Sequence, residues 1–230
     1  MRFRSDVTVK LVRSLADDEG VVQAARVSYE GENTPSAEAE GLINFLMRNK
    51  HGSPFEHNSM TFYIEAPIFV FREFHRHRIG WSYNEESARY KKLEPVFYIP
   101  GRERKIVQEG KAGTYTMVSG DEEQWEYVEG LSEWSYKNSY RMYTRLLEEG
   151  IAREVARNVL PTGIYSSMYA TCNARSLMAF LALRTDDPSA AFPSKPLREI
   201  AMVAEQMEDL WTEQMPLTAQ AFKNQRRVAP

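Results

Sequence analysis

Two segments of the chain alternate apolar and polar residues, the pattern of a strand with one buried face. They are residues 7–12 and 60–65, and residues 165–172 are also expected to be extended. The longest helical pattern covers residues 122–149, with aromatic residues near helical spacing and Gly150 as its stop. Shorter helices are predicted from Asp17 and Asp18 to Val27, after Pro35 through Leu46, over 67–79, 151–160 and 174–184, and from Pro196 through Trp211.

These strands and helices do not follow a strand–helix–strand rhythm, and the sequence has no glycine-rich nucleotide loop. The pattern therefore disfavours a Rossmann fold. It predicts an α+β fold with a mixed or antiparallel sheet and flanking long helices. A single domain over residues 1–230 is expected, with a loop excursion near 99–124, where proline, glycine and charged residues mix.

Composition narrows the class of protein. The chain has 230 residues, 43% hydrophobic and 27% charged, with a formal net charge of −3, as in ordinary globular proteins. The longest apolar run, residues 66–71, is far shorter than the roughly 20 residues that span a bilayer. No signal peptide is evident, and the single cysteine, Cys172, suits a reducing compartment. We therefore expect a cytoplasmic protein that binds neither membrane nor nucleic acid, with Cys172 a small buried residue rather than a nucleophile.

All four histidines lie between residues 51 and 77, which first suggests a metal site. Arg76 and Arg78 beside His75 and His77 would repel a divalent cation, and no cysteine is nearby to complete a ligand set. We therefore predict no metal site.

Residues 72–92 carry six Lys or Arg and three Glu, a local excess of positive charge in an acidic chain. Arginine forks bind phosphate oxygens in pairs, and Ser82, Asn84 and Ser87 could bind a sugar or a base. A nucleotide-shaped ligand and a solvated loop with surface ion pairs both fit this composition.

The motif in this segment is Arg-His-Arg at 76–78, a short spacer, then Ser-x-Asn-x-x-Ser-x-Arg at 82–89. It resembles the signature of the flavin-dependent thymidylate synthases, which make dTMP without a catalytic cysteine. Further blocks resemble that family in the same order: residues 24–28, 51–57, 152–161 and 173–184.

The resemblance implies an FAD-binding enzyme that converts dUMP to dTMP, with methylenetetrahydrofolate as one-carbon donor and NADPH as reductant. It also implies a homotetramer whose active sites are shared between subunits. Positions that match flavin-contacting ones are Ser28, Ser53, Glu56, Arg76, His77, Arg78, Asn84, Asn173 and Arg175. Positions that match nucleotide-contacting ones are Glu73, Glu85, Ser87, Arg89, Arg157 and Arg184.

Two of these carry the implied catalysis. Arg184 matches the residue that lies against the pyrimidine and holds it in an electron-rich form. Ser87 lies at the nucleotide, through its backbone N–H as much as its hydroxyl, and no partner base for a serine nucleophile is evident nearby in sequence.

The sequence departs from the family pattern at the spacer. Three residues, Ile79, Gly80 and Trp81, stand where relatives usually have two, so the chain must bulge or turn differently there, which Gly80 would ease. Glu73 stands where many relatives have glutamine. Two other function classes therefore stay open: a flavin-binding relative without turnover, which would not need Arg157 and Arg184, and a nucleic-acid-binding module, which the net charge disfavours.

Overall fold

A computed structural model describes residues 1–27, 39–111 and 113–230. Within these residues the chain forms two compact units, each assembled from several segments. The first unit contains residues 1–6, 66–71 and 86–166, and the second contains residues 7–65, 72–85 and 167–230. The expectation of one domain over residues 1–230 stays a prediction.

The secondary structure mixes helices and strands, as the sequence pattern predicted. The strands are β1 Arg2–Arg4, β2 Thr8–Leu15, β3 Ser59–Pro67, β4 Trp81–Glu85, β5 Val96–Tyr98, β6 Val107–Glu109, β7 Thr116–Val118 and β8 Tyr165–Cys172. The helices are α1 Asp18–Arg26, α2 Ala39–Arg48, α3 Ile68–Phe74, α4 Glu122–Glu148, α5 Arg153–Ala156, α6 Ala174–Arg184, α7 Arg198–Gln214 and α8 Pro216–Asn224. Short 3₁₀ turns cover Ser53–Glu56 and Arg157–Val159.

The largest sheet has the strand order β2-β3-β8-β4. β2 pairs antiparallel with β3, and β4 pairs antiparallel with β8, so that Trp81 lies opposite Cys172 and Glu85 opposite Met168. The inward side chains of β3 alternate with partly exposed ones, as its sequence pattern requires. This sheet confirms the predicted α+β class with antiparallel pairing.

The first unit has a small core of its own. β1 and β5 pair in parallel there, and β6 and β7 form an antiparallel pair within the segment that was expected to be a loop excursion. Phe97 stacks on Tyr136 of α4 at a centroid distance of 4.8 Å. α4 therefore packs one aromatic face inward and begins at a capping box formed by Asp121 and Gln124.

Three predicted elements differ from the structure. The helix expected over 67–79 is only α3, because β3 continues to Pro67 and the chain turns after Phe74. The expected helix over 151–160 is one short helix followed by a 3₁₀ turn. The last predicted helix begins two residues later than expected, and a further helix, α8, follows it after Met215.

Candidate functional site

The Arg-His-Arg motif lies in a tight turn between α3 and β4. α3 ends at Phe74, and residues 75–80 turn the chain back into the sheet. Gly80 has a φ of +70°, in the left-handed region where glycine is favoured. The register of β4 against β8 then runs unbroken from Trp81 to Glu85, so the turn absorbs the length of the spacer.

Two hydroxyl groups fix this turn. The Tyr83 hydroxyl donates to the carbonyl oxygens of Phe74 at 3.0 Å and His77 at 2.8 Å. Burial raises the pKa of Tyr83, with a smaller contribution from the Cys172 thiol, so the phenol stays protonated and remains a donor. Ser176 Oγ donates to the carbonyl oxygen of Ile79 at 2.9 Å. The turn is thus held from the sheet on one side and from α6 on the other.

The first turn of α6 supplies the second wall of the site. Asn173 caps the helix, because its side-chain oxygen accepts from the backbone N–H of Ser176 at 2.9 Å. Asn58 Oδ1 accepts from the backbone N–H of Ala174 at 2.8 Å. These two amides satisfy N–H groups at the start of the helix and place Arg175 beside them.

Arg175 is held by groups from two distant parts of the chain. Its Nε donates to the carbonyl oxygen of Pro230 at 2.8 Å, and its Nη1 bonds Glu56. A Cβ on Gly52 would lie 2.4 Å from the guanidinium carbon, so a side chain there would displace the guanidinium from its present position. The His-Gly-Ser-Pro segment, which opens the 3₁₀ turn carrying Glu56, therefore forms a cradle for Arg175.

These elements of the second unit enclose a cleft of about 930 Å³. It is lined by Glu56, Arg76, His77, Arg78, Ile79, Gly80, Trp81, Asn173, Arg175, Ser176, Ala179, Ala229 and Pro230. Trp81 stacks on Tyr83 at 5.7 Å and contacts Phe180 at 5.4 Å, which fixes its indole in the wall. Three arginines, a helix start and an apolar ring together suit a ligand that carries both an anion and a planar ring.

A second group of residues meets at His77. Arg184 Nε donates to His77 Nε2 at 3.0 Å, and Arg184 Nη1 bonds the carboxylate of Glu73. Burial is the main cause that lowers the pKa of His77 to about 4; the Arg184 guanidinium contributes in the same direction, and Glu73 opposes it. His77 is therefore a neutral acceptor that orients Arg184, and not a third cation of the Arg-His-Arg motif.

The cleft gathers six of the residues predicted to contact flavin: Glu56, Arg76, His77, Arg78, Asn173 and Arg175. Ser53 lies in the 3₁₀ turn beside Glu56 and Asn84 lies on β4, and neither lines the cleft. Ser28 lies outside the described residues.

The residues predicted to contact nucleotide divide between the two units. Arg184 and Glu73 contact each other in the second unit, where Glu85 ends β4. In the first unit, Ser87 Oγ accepts from the backbone N–H of Arg89 at 3.3 Å, and Arg89 Nε lies 3.0 Å from Glu154. Arg157 opens the second 3₁₀ turn of that unit. The binding roles assigned to all these residues stay predictions.

The sequence analysis did not identify Ser176, Tyr83 or Pro230 as parts of the site. Ser176 lies inside the signature at 173–184 and its spacing from Asn173 is that of a cap contact, so a signal existed. Tyr83 and Pro230 act through contacts that depend on the tertiary fold, which no local pattern reveals.

Fold and site together define an α+β protein with a cationic cleft suited to an anionic cofactor that carries a planar ring. A family model described as thymidylate synthase complementing protein matches residues 10–217. The flavin-dependent thymidylate synthase of Streptomyces avermitilis is 59% identical to this chain. The alignment covers 99% of this chain and 95% of the length of that enzyme. The flavin-dependent thymidylate synthase of Tropheryma whipplei is 54% identical, and the alignment covers 99% of this chain and 97% of the length of that enzyme.

A solved structure agrees over the whole chain. The UMP/dUMP methylase PolB from Streptomyces cacaoi, bound with 5-Br UMP, is 53% identical, with a TM-score of 0.94 and full coverage of both chains. The chain described here belongs to the flavin-dependent thymidylate synthase family. The predicted family and enzyme class are thereby confirmed. No helix among the described residues is both long and apolar enough to cross a membrane.

Proposed function

We propose that this chain methylates dUMP at C5 to give dTMP. Methylenetetrahydrofolate would supply the carbon, and NADPH would supply the hydride through FAD. The active assembly would be a homotetramer in the cytoplasm. The observation that carries this proposal is the cleft that gathers Glu56, the Arg-His-Arg turn, Asn173 and Arg175.

The hydrogen-bond donors that line the cleft suit the groups of FAD. A pyrophosphate needs paired N–H donors, which Arg76 and Arg78 would provide beside the start of α6. Arg175, which is fixed by Glu56 and the Pro230 carbonyl, would add a guanidinium to the same wall. When bound, FAD supplies hydride transfer. The role of the chain is to bind, orient and supply charge.

Arg184 would act on the pyrimidine. Glu73 and His77 hold its guanidinium from two sides, which fixes its direction before substrate arrives. A fixed positive charge beside the uracil carbonyl would stabilise the electron-rich ring that attacks the methylene carbon. Ser87, Arg89 and Arg157 would bind the rest of the nucleotide, the arginines through its phosphate and Ser87 through its backbone N–H and hydroxyl.

Cys172 does not fit a thiolate mechanism. It is 3% exposed on β8, and burial raises the pKa of its thiol, so the thiolate is disfavoured. Its substitution by alanine is therefore the matched control for a cysteine-dependent reaction.

UMP is a second candidate substrate. The specific observation is the full-length similarity to PolB, whose structures hold 5-Br UMP and 5-Br dUMP. A chain 53% identical to a UMP/dUMP methylase could accept both ribose and deoxyribose nucleotides.

The test incubates purified protein with FAD, removes free flavin and records the visible spectrum. Tritium release from [5-³H]dUMP and [5-³H]UMP is then measured with NADPH and methylenetetrahydrofolate. We expect about one flavin per chain and release from dUMP by the native protein and the Cys172→Ala variant alike. Flavin without release would indicate a binding-only relative, whereas loss of release in the alanine variant would overturn the flavin-dependent mechanism. Release from UMP would establish the second substrate.

A further inference from the structure

We infer that residues 226–230 position Arg175 for flavin binding, and that Lys50 is the positioning residue that keeps them in place. We call these residues the 226–230 segment. Pro230 lines the cleft, and its carbonyl oxygen accepts from Arg175 Nε at 2.8 Å. The match to the family model ends at residue 217, before this segment begins. The segment therefore supplies part of the cleft wall that the family motifs do not include.

One end of the 226–230 segment is fixed in the interior of the second unit. Arg227 is 6% exposed, and its guanidinium donates to both carboxylate oxygens of Glu208 on α7, at 2.8 and 2.7 Å. Its Nη2 also donates at 2.7 Å to the hydroxyl of Thr185, the residue that follows α6. Breaking a buried, bidentate ion pair of this kind is strongly destabilising. Arg227 is thus a fixed point from which the segment extends to the cleft.

Lys50 holds the middle of the 226–230 segment. Its Nζ donates to the carbonyl oxygens of Val228 at 3.2 Å and Ala229 at 3.4 Å. An ammonium carries three donors, so it can bind two neighbouring carbonyls at once. Lys50 adopts a φ of +61° after α2, a conformation in which glycine is favoured over lysine. The lysine therefore accepts a backbone cost at this position, which its two contacts help to offset.

The last contact of the segment fixes the guanidinium of Arg175. Nε bonds Pro230 and Nη1 bonds Glu56, and two such contacts set the plane of the group. The Arg175 side chain is 45% exposed, so without these partners it would sample several rotamers. Ordering the side chain in advance removes an entropic cost from ligand binding. This role rests on the proposed binding of FAD in the cleft, and not on the nucleotide substrate.

Fluorescence titration with FAD tests the role of Lys50, in about 0.3 M salt to screen the change in net charge. Lys50→Met should raise the Kd for FAD about fivefold or more. Lys50→Arg keeps the donors and should stay within about twofold of the native Kd. Lys195→Met is the matched control, because Lys195 is exposed and does not line the cleft. A native Kd in Lys50→Met, or equal losses in the Met and Arg variants, would overturn the inference.

A double-mutant cycle tests whether the effect of Lys50 passes through Arg175. Arg175→Gln should raise the Kd for FAD about tenfold or more, and adding Lys50→Met should raise it little further, because the segment then has no guanidinium to hold. In the Arg76→Ala background, Lys50→Met should keep its full effect, since Arg76 lies on the turn after α3. Full effects in both backgrounds would show that Lys50 acts on the fold as a whole, and would overturn the inference.

The flavin Kd decides this inference, and tritium release from dUMP decides the proposed function. Native turnover together with an unchanged Kd in Lys50→Met would overturn the inference alone. A raised Kd in Lys50→Met without turnover by the native protein would overturn the proposed function alone. A native protein that binds no FAD would overturn both. Urea unfolding without FAD checks the fold, and Lys50→Met should match the native protein because Lys50 is exposed.

Discussion

At the scale of single residues, the imidazole of His77 determines how charge is distributed at the site. It accepts a hydrogen bond from Arg184 and lies in a cleft that also presents Arg76. A protonated imidazole would lose this acceptor and add a third cation to the two arginines. The structure therefore keeps the middle residue of the Arg-His-Arg motif neutral, and the motif carries its positive charge on its two arginines.

The lowered pKa of His77 predicts a pH-dependent stability. In the unfolded chain His77 takes up a proton near pH 6.5, but in the folded chain it does so only near pH 4. Between these values the unfolded state holds more protons, so acidification lowers the free energy of unfolding, while above pH 6.5 the contribution is constant. The full shift corresponds to at most about 3 kcal/mol, and partial exposure of the ring reduces it.

Urea unfolding at pH 7, 5.5 and 4.5 measures this dependence. His77→Gln should remove most of the loss between pH 6.5 and 4. His57→Gln should retain it, because His57 is exposed and does not line the cleft. Equal slopes in the two variants would show that His77 is not the titrating group.

Arg78 and Arg184 should separate flavin binding from turnover. Arg78 lines the cleft, whereas Arg184 contacts Glu73 and His77. Arg78→Ala is expected to lose flavin. Arg184→Ala is expected to keep flavin while tritium release from dUMP falls about a hundredfold or more, since one fixed charge is worth roughly 3–4 kcal/mol of the barrier. Arg198→Ala, which removes an arginine paired with Glu205, is the control. Normal turnover in Arg184→Ala would exclude the role assigned to Arg184.

At the scale of elements, the best-predicted helices and strands are those whose ends are marked by residues in the local sequence, such as a capping residue or a glycine. The helix expected over 122–149 is α4, where Asp121 caps the start and Gly150 adopts a positive φ after the end. The predictions over 165–172 and 174–184 match β8 and α6, separated by the cap Asn173. Local chemistry sets these boundaries, so they can be read without the tertiary structure.

The elements that the sequence did not reveal depend on distant partners. β4 forms because residues 81–85 find β8 about ninety residues later, and their polar character favoured a loop. α3 ends at Phe74, before the expected end at residue 79. The Tyr83 hydroxyl donates to the carbonyl oxygens of Phe74 and His77 and so stabilises the turn that follows the helix. The candidate site was predictable as a set of residues from the family motif, but its support by Tyr83, Ser176 and Pro230 was not.

The turn between α3 and β4 should tolerate no side chain at Gly80. A Cβ there would lie 2.1 Å from Ser176 Oγ, at a φ of +70°. Gly80→Ala should therefore lower the free energy of unfolding by about 2 kcal/mol or more and weaken flavin retention. Gly150→Ala is the matched control, because its φ is +77° with nothing within 4 Å, and it should cost only about 1 kcal/mol.

Thermal and urea unfolding of four chains resolve the contact between Gly80 and Ser176: native, Gly80→Ala, Ser176→Ala and the double variant. Removing the hydroxyl should recover part of the loss, so the two substitutions should be less than additive. Strict additivity, or equal costs at Gly80 and Gly150, would show that the strain is in the backbone alone.

At the scale of the whole molecule, shared active sites would couple flavin binding to assembly. If FAD contacts two subunits, it binds the assembled protein more tightly than the separate chains, and linkage then requires that FAD promotes association. At a hundred times its Kd in the assembly, FAD would add up to about 2.7 kcal/mol per site to the free energy of assembly. Sedimentation of a dilution series with and without FAD measures this coupling.

In the native chain, we expect the assembly to persist to lower protein concentration when FAD is present. In Arg78→Ala, FAD should have no such effect, and association without FAD should be the same as in the native chain. An FAD affinity that is the same above and below the dissociation midpoint would mean that each site is complete within one subunit.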